Sequence, residues 1–156
     1  MISLDIPGFG NCQWCHLVLD LNGTLAHDGE LIAGVAERIV QLREELDICM
    51  LTADTHGTAT HLARELAIRL HRVEQGQEAE QKERFVRSLG QVSVVAIGNG
   101  NNDVGMLAAA GLGIAVLGPG GTASRALTAA DLVAGDICSA LELLLFPQRL
   151  FATLRR

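Results

Sequence analysis

The chain has 156 residues, 49% of them hydrophobic but only 3% aromatic, with 17 Gly, no Tyr and a formal net charge of −6. That length predicts one domain, able to bury roughly 70% of its unfolded surface without disulfides or metal staples. The acidic balance and the scarcity of stacking side chains argue against nucleic acid as a partner. No apolar run approaches the roughly 20 residues of a membrane span, and the start of the chain lacks a charged segment followed by an apolar signal core. A soluble, cytoplasmic protein with no membrane partner is therefore expected, and Cys12, Cys15, Cys49 and Cys138 are expected to be reduced.

The first fifteen residues, with Pro7 and Gly8-Phe9-Gly10, predict a small hairpin or edge extension ahead of the core. HLVLD (16–20) is the first core strand, and LAHDGELIAG (25–34) follows as a loop or small hairpin. Val35, Ile39, Leu42 and Leu46 recur at helical spacing with Glu37, Arg38, Arg43 and Glu44 opposite them, which predicts a helix covering a sheet. DICMLT (47–52) is a second strand. Leu62, Ala63 and Leu66 mark a helix over 58–68, and RLHRV (69–73) is a third strand. A helix over 78–89 puts Ala79, Lys82, Val86 and Leu89 on one face. Strands at 92–98, 112–118 and 131–134 and an apolar helix at 136–146 complete the pattern. Strands alternating with helices imply right-handed βαβ units and a mainly parallel sheet covered on both faces, with ligands bound beyond the carboxyl ends of the strands.

Three of those strand ends carry polar groups. The first strand delivers Asp20 at its tip, ahead of the turn Asn22-Gly23-Thr24. The second ends in LTADT (51–55), which sets the Thr52 hydroxyl in the same plane. The fourth ends in GNGNND (98–103), whose glycines let the backbone and Asp103 approach a charged ligand. Lys82, on the sheet-facing side of its helix, adds positive charge. A carboxylate nucleophile, a hydroxyl, a lysine and further acid or amide oxygens suit a phosphoryl group and a magnesium ion. Asn99, Asn102 and Asp103 equally suit the N-terminus of the following helix, and capping is compatible with ligation.

Asp20-Leu21-Asn22-Gly23-Thr24, Thr52, Lys82 and GNGNND stand in the order, and on the elements, of the four motifs of the haloacid dehalogenase-like (HAD) superfamily, which the chain resembles. LTADTHGTATHLARELAI (51–68) and VVAIGNGNNDVGMLAAAGLGIAV (94–116) are similar to the phosphorylation domain of P-type ATPases. The resemblance runs from about Leu17 onward. It implies a three-layer α/β/α Rossmann-like fold over a single domain (1–156), with Mg²⁺ as cofactor and a phosphorylated substrate. It further implies that Asp20 is the nucleophile forming an aspartyl-phosphate. Thr52, Ala53, Lys82 and Asn102 would hold the phosphoryl group, and Asp20, the Asn22 carbonyl, Asn99 and Asp103 would hold the metal.

Two positions depart from the family pattern. Its phosphatases carry an Asp two residues after the nucleophile as general acid and base; here it is Asn22, whose amide cannot shuttle a proton at neutral pH. The metal-binding Asp of GDGxND is Asn99 here, which removes one negative charge. Slow or specialised turnover is expected, and the other reading of the two Asn residues is a catalytically reduced regulatory or assembly protein. Only 27 residues separate Thr24 from Thr52, and about five separate Val73 from the helix carrying Lys82. A cap domain does not fit in either place, so the substrate is expected to be large or the site roofed by a second copy in a homo-oligomer.

Cys12-Gln13-Trp14-Cys15-His16 spells a haem-attachment pattern, but His16 opens the first core strand and no axial partner is evident, so a thiol pair is expected instead. His27, His56, His61 and His71 lack metal spacing, and His56 alone is expected near the site.

Overall fold

In the computed structural model, residues 1–54 and 57–156 are described. The predicted hairpin forms from β1 (Ile2–Ile6) and β2 (Gly10–Trp14), paired antiparallel. β3 (His16–Asp20) enters the core, and β4 (Ala26–His27) with β5 (Glu30–Leu31) makes a second small hairpin in the segment expected as a loop or small hairpin. Then come α1 (Val35–Leu42), β6 (Asp47–Thr52), α2 (Thr58–Leu66), β7 (Arg69–Arg72) and α3 (Glu78–Ser88). β8 (Val94–Gly98), α4 (Val104–Ala109), β9 (Leu112–Val116), α5 (Ser124–Ala129), β10 (Leu132–Ala134), α6 (Ile137–Leu145) and α7 (Gln148–Leu154) complete the chain.

Six strands form one parallel sheet in the order β10-β9-β8-β3-β6-β7. From β3 the chain builds outward through β6 and β7, then returns to build the other half through β8, β9 and β10. The direction of winding therefore reverses between β3 and β8, and a crevice opens at such a switch point. Side chains alternate across the strands. Leu17, Leu19, Ile48, Met50, Val95 and Ile97 face a cluster with Ile39 of α1, Leu62 of α2 and Leu141 of α6. Val18, Cys49, Leu51 and Ala96 face Val86 of α3, Leu107 of α4 and Ala126 of α5. This is the expected three-layer α/β/α arrangement.

Several boundaries differ from the sequence reading for local reasons. The strand expected from 92 begins at Val94, because residues 91–93 close a 3₁₀ turn on the Gly90 carbonyl and leave Val92 75% exposed. α1 stops at Leu42, although Leu46 still packs in the core through a turn bonded back to Leu42. α2 stops at Leu66, because Ala67 turns left-handed at φ 50° and the Ile68 amide bonds back to the Ala63 carbonyl. α5 and α7 were not legible: six or seven residues make fewer than two turns, too short for a periodic stripe. Among the described residues no single helix is long and apolar enough to cross a membrane.

Candidate active site

Asp20 continues the alternation of Val18, so its side chain leaves the sheet on the face covered by α3, where Lys82 lies one turn before the buried Val86. The two meet: Lys82 Nζ donates to Asp20 Oδ1 at 2.5 Å and to Asp103 Oδ1 at 2.8 Å. All three side chains are out of water, Lys82 being 1% exposed, Asp20 6% and Asp103 0%. Register explains the meeting. Asp20 pairs with Leu51 beside Thr52, and Leu19 pairs with Ile97, so the tips of β3, β6 and β8 end at one level.

Asp103 does not cap α4. Its Oδ2 turns back to accept the amides of Asn99 at 2.9 Å and Gly100 at 2.8 Å, which fixes the turn after β8. Gly98 allows this fold-back, since a Cβ there would lie 2.6 Å from the Asp103 carboxyl carbon. Asp103, expected as a metal ligand, is thus engaged on both oxygens and sits beneath the cleft facing Lys82. Asn99 holds the more open position. The Thr24 hydroxyl lies 3.2 Å from both Asp20 Oδ2 and Asn99 Oδ1, so one proton is shared between two acceptors. Thr52, 2% exposed, accepts the Asp54 amide at 3.1 Å, and Asp54 Oδ2 accepts the Ala59 amide at the start of α2.

One lysine faces two buried carboxylates, leaving a surplus negative charge. Burial first, then the charge of Asp103, pushes the Asp20 carboxyl up to about 6 against the opposing pull of Lys82 and Thr24. Burial alone would lower Lys82, but Asp20 and Asp103 more than offset it and hold its ammonium above the ordinary value. Asp20 therefore binds its proton more tightly when folded than when unfolded. Its contribution to stability is fully present below the unfolded value near pH 4 and is lost as pH rises through about 6. Urea denaturation of metal-free protein is expected to show stability falling by about 2–3 kcal/mol between pH 4 and pH 7 from this group; a rise traced to Asp20 would contradict the arrangement.

A cleft of about 380 Å³ opens over these groups, lined by Asp20, Asn22, Thr52, Ala53, Lys82, Asn99 and Asn102 of the expected set. It adds Asp54 and Gln75, which sequence reading missed. Asp54 was visible as the third residue of Thr52-Ala53-Asp54, whereas nothing local marked Gln75, which β7 delivers to the rim. His56 lies outside the described residues. Cys12 is buried and Cys15 half-buried, and both are free thiols.

The donor set fits a small hard cation. Asp20 Oδ2 and Asn99 Oδ1 converge on a single hydroxyl, and the trio beneath carries surplus negative charge. The site is poor in carboxylates: among the described residues no three His, Cys, Asp or Glu side chains cluster as a metal site.

Comparison with known proteins agrees with this fold. The sequence model of the haloacid dehalogenase-like hydrolases matches residues 86–136. An uncharacterised protein of Methanocaldococcus jannaschii is 50% identical over 62 residues, which are 40% of this chain and 67% of that protein. The 3-deoxy-D-manno-octulosonate 8-phosphate phosphatase of Moraxella catarrhalis, solved with magnesium ion, phosphate ion and KDO, superposes with a TM-score of 0.68. That match covers 90% of both chains at 20% identity. The catalytic domain of the CPx-ATPase CopB aligns over 73% of this chain and 46% of its own, at 26% identity and a TM-score of 0.61. In the described residues only the β4–β5 hairpin and α1 lie between β3 and β6, and a short turn lies between β7 and α3, so neither position holds a cap. The chain is recognised as haloacid dehalogenase-like by its sequence over residues 86–136 and by its fold.

Proposed function

We propose that the chain is a Mg²⁺-dependent phosphohydrolase or phosphotransferase that works through an aspartyl-phosphate on Asp20. The observation that carries this reading is the Asp20 carboxylate at a strand tip, open to the cleft and held at 2.5 Å by a buried lysine. A carboxylate oxygen of Asp20 attacks the phosphorus of a phosphate ester or acyl phosphate, and the bond to the leaving oxygen breaks. Lys82 offsets the charge gathering on Asp20 and the phosphoryl oxygens, and Thr52 and the Ala53 and Asn102 groups hold those oxygens. With no acid at position 22, the leaving oxygen takes its proton from solvent. Water or an acceptor hydroxyl then attacks the phosphorus, releasing phosphate or the transferred product and restoring Asp20.

Asp20, Asn99 and the Asn22 carbonyl would hold Mg²⁺, with Asp103 acting through Lys82. When bound, the ion supplies charge neutralisation of the phosphoryl oxygens. The uncapped cleft favours a substrate large enough to present its phosphate into the opening, or a second copy of the chain as roof, in a cytoplasmic setting.

Steady-state hydrolysis of p-nitrophenyl phosphate with Mg²⁺ tests the assignment of position 22. General acid–base help contributes about 100 to 10,000 fold, so Asn22→Asp is expected to raise the rate within that range. An unchanged rate would remove the explanation of slow turnover by Asn22.

A further inference from the structure

We propose that Asn99 is a positioning residue that locks the nucleophile turn to the glycine-rich loop 117–122 before any cation binds. The amide orientation follows from its partners. The Gly121 carbonyl can only accept, so Nδ2 must face it, at 3.2 Å. The oxygen is thereby turned toward Thr24, whose hydroxyl lies 3.2 Å from it and equally far from Asp20 Oδ2.

One planar group thus ties three segments: the turn after β3, the turn after β8 and loop 117–122. The packing is close. A Cβ on Gly23 would stand 2.6 Å from Asn99 Nδ2, and a Cβ on Gly118 would stand 3.0 Å from the Gly23 carbonyl, so the loop rests against the nucleophile turn. The backbone of residue 99 holds the same loop, its carbonyl accepting the Ala123 amide at 2.9 Å. The loop closes on itself through the Gly121 amide on the Gly118 carbonyl at 2.9 Å and the Thr122 hydroxyl on the Val116 carbonyl at 2.7 Å.

A carboxylate at 99 could do neither job without a cation. It has no proton to offer Gly121, so two oxygens would oppose each other there. It would also set a second negative group on the Thr24 hydroxyl, which has one proton and already serves Asp20. Asn99 gives up one charge toward the metal, and in return the site keeps its shape when empty. This inference uses the proposed function only in placing residue 99 beside the reacting carboxylate.

Hydrogen exchange read by mass spectrometry over peptides covering 20–26 and 117–123 tests it, with and without millimolar Mg²⁺, and reads no turnover. In the unaltered protein both peptides are expected to be protected already without Mg²⁺, and the ion is expected to add less protection there than it adds in Asn99→Asp. Asn99→Asp is expected to exchange about tenfold or more faster without Mg²⁺, the scale of one lost hydrogen bond, and to regain protection when Mg²⁺ is added. Asn99→Ala, with neither bond nor ligand oxygen, is expected to exchange fast in both. The proposal is overturned if the metal-free unaltered protein exchanges as fast as Asn99→Ala, if metal-free Asn99→Asp is as protected as the unaltered protein or stays open with Mg²⁺, or if the ion restores Asn99→Ala as fully as Asn99→Asp.

Discussion

Asp20→Asn is expected to reduce phosphatase turnover by about 10⁴-fold or more while making the metal-free protein more stable at neutral pH. An amide cannot attack phosphorus, so the covalent route closes. The same change removes one of two carboxylates crowded on a single ammonium, and Lys82 keeps Asp103 at 2.8 Å. Since burial and Asp103 hold the Asp20 carboxyl near 6, ionising it at pH 7 costs about 2–3 kcal/mol that the amide does not incur. Urea denaturation is therefore expected to show a gain of that order at pH 7 and little change near pH 4. A loss of stability at pH 7 would mean that Asp20 is there to hold the fold together.

Lys82→Met is expected to be the most destabilising single change at the site, at about 3–5 kcal/mol, because it strands two buried carboxylates without their countercharge. For a chain of this size that is a fall in melting temperature of roughly 6–20 °C. Turnover is expected to collapse as well, since among the described side chains Lys82 is the cation paired with Asp20, and the Thr24 hydroxyl alone offers it only a neutral hydrogen bond. Adding Asp20→Asn to Lys82→Met is expected to recover part of the lost stability, a non-additivity that groups in one network show. Equal and additive losses in a thermal melt series would contradict the trio.

The fold and most of the cleft were legible because each rested on a local signal. Short, near-continuous apolar runs announced β3, β6 and β9, as strands buried on both faces require, and the i, i+4 pair Lys82 and Val86 placed the lysine toward the sheet. Strand parity and register, which the sequence implies, then brought Asp20, Thr52 and Gly98 to one level. What the sequence hid was which oxygen faces what. Asp103 reads as a ligand or a helix cap, but the absence of a Cβ at Gly98 lets it fold back onto two amides and Lys82. Asn99 reads as a weakened ligand, and only the position of Gly121, 22 residues downstream, shows what its nitrogen does. Gln75 reached the rim by the direction of β7, a long-range outcome that no local pattern records.

The account rests most on a covalent bond at one atom. Incubating the protein with Mg²⁺ and acetyl phosphate, quenching in acid and locating phosphate by peptide mass spectrometry tests it directly. One hydroxylamine-labile phosphate on Asp20 is the expected result, longer-lived than in Asn22→Asp because the unaltered site has no base to activate water. Hydrolysis that proceeds with no phosphate on Asp20, or with phosphate on another residue, would contradict the account.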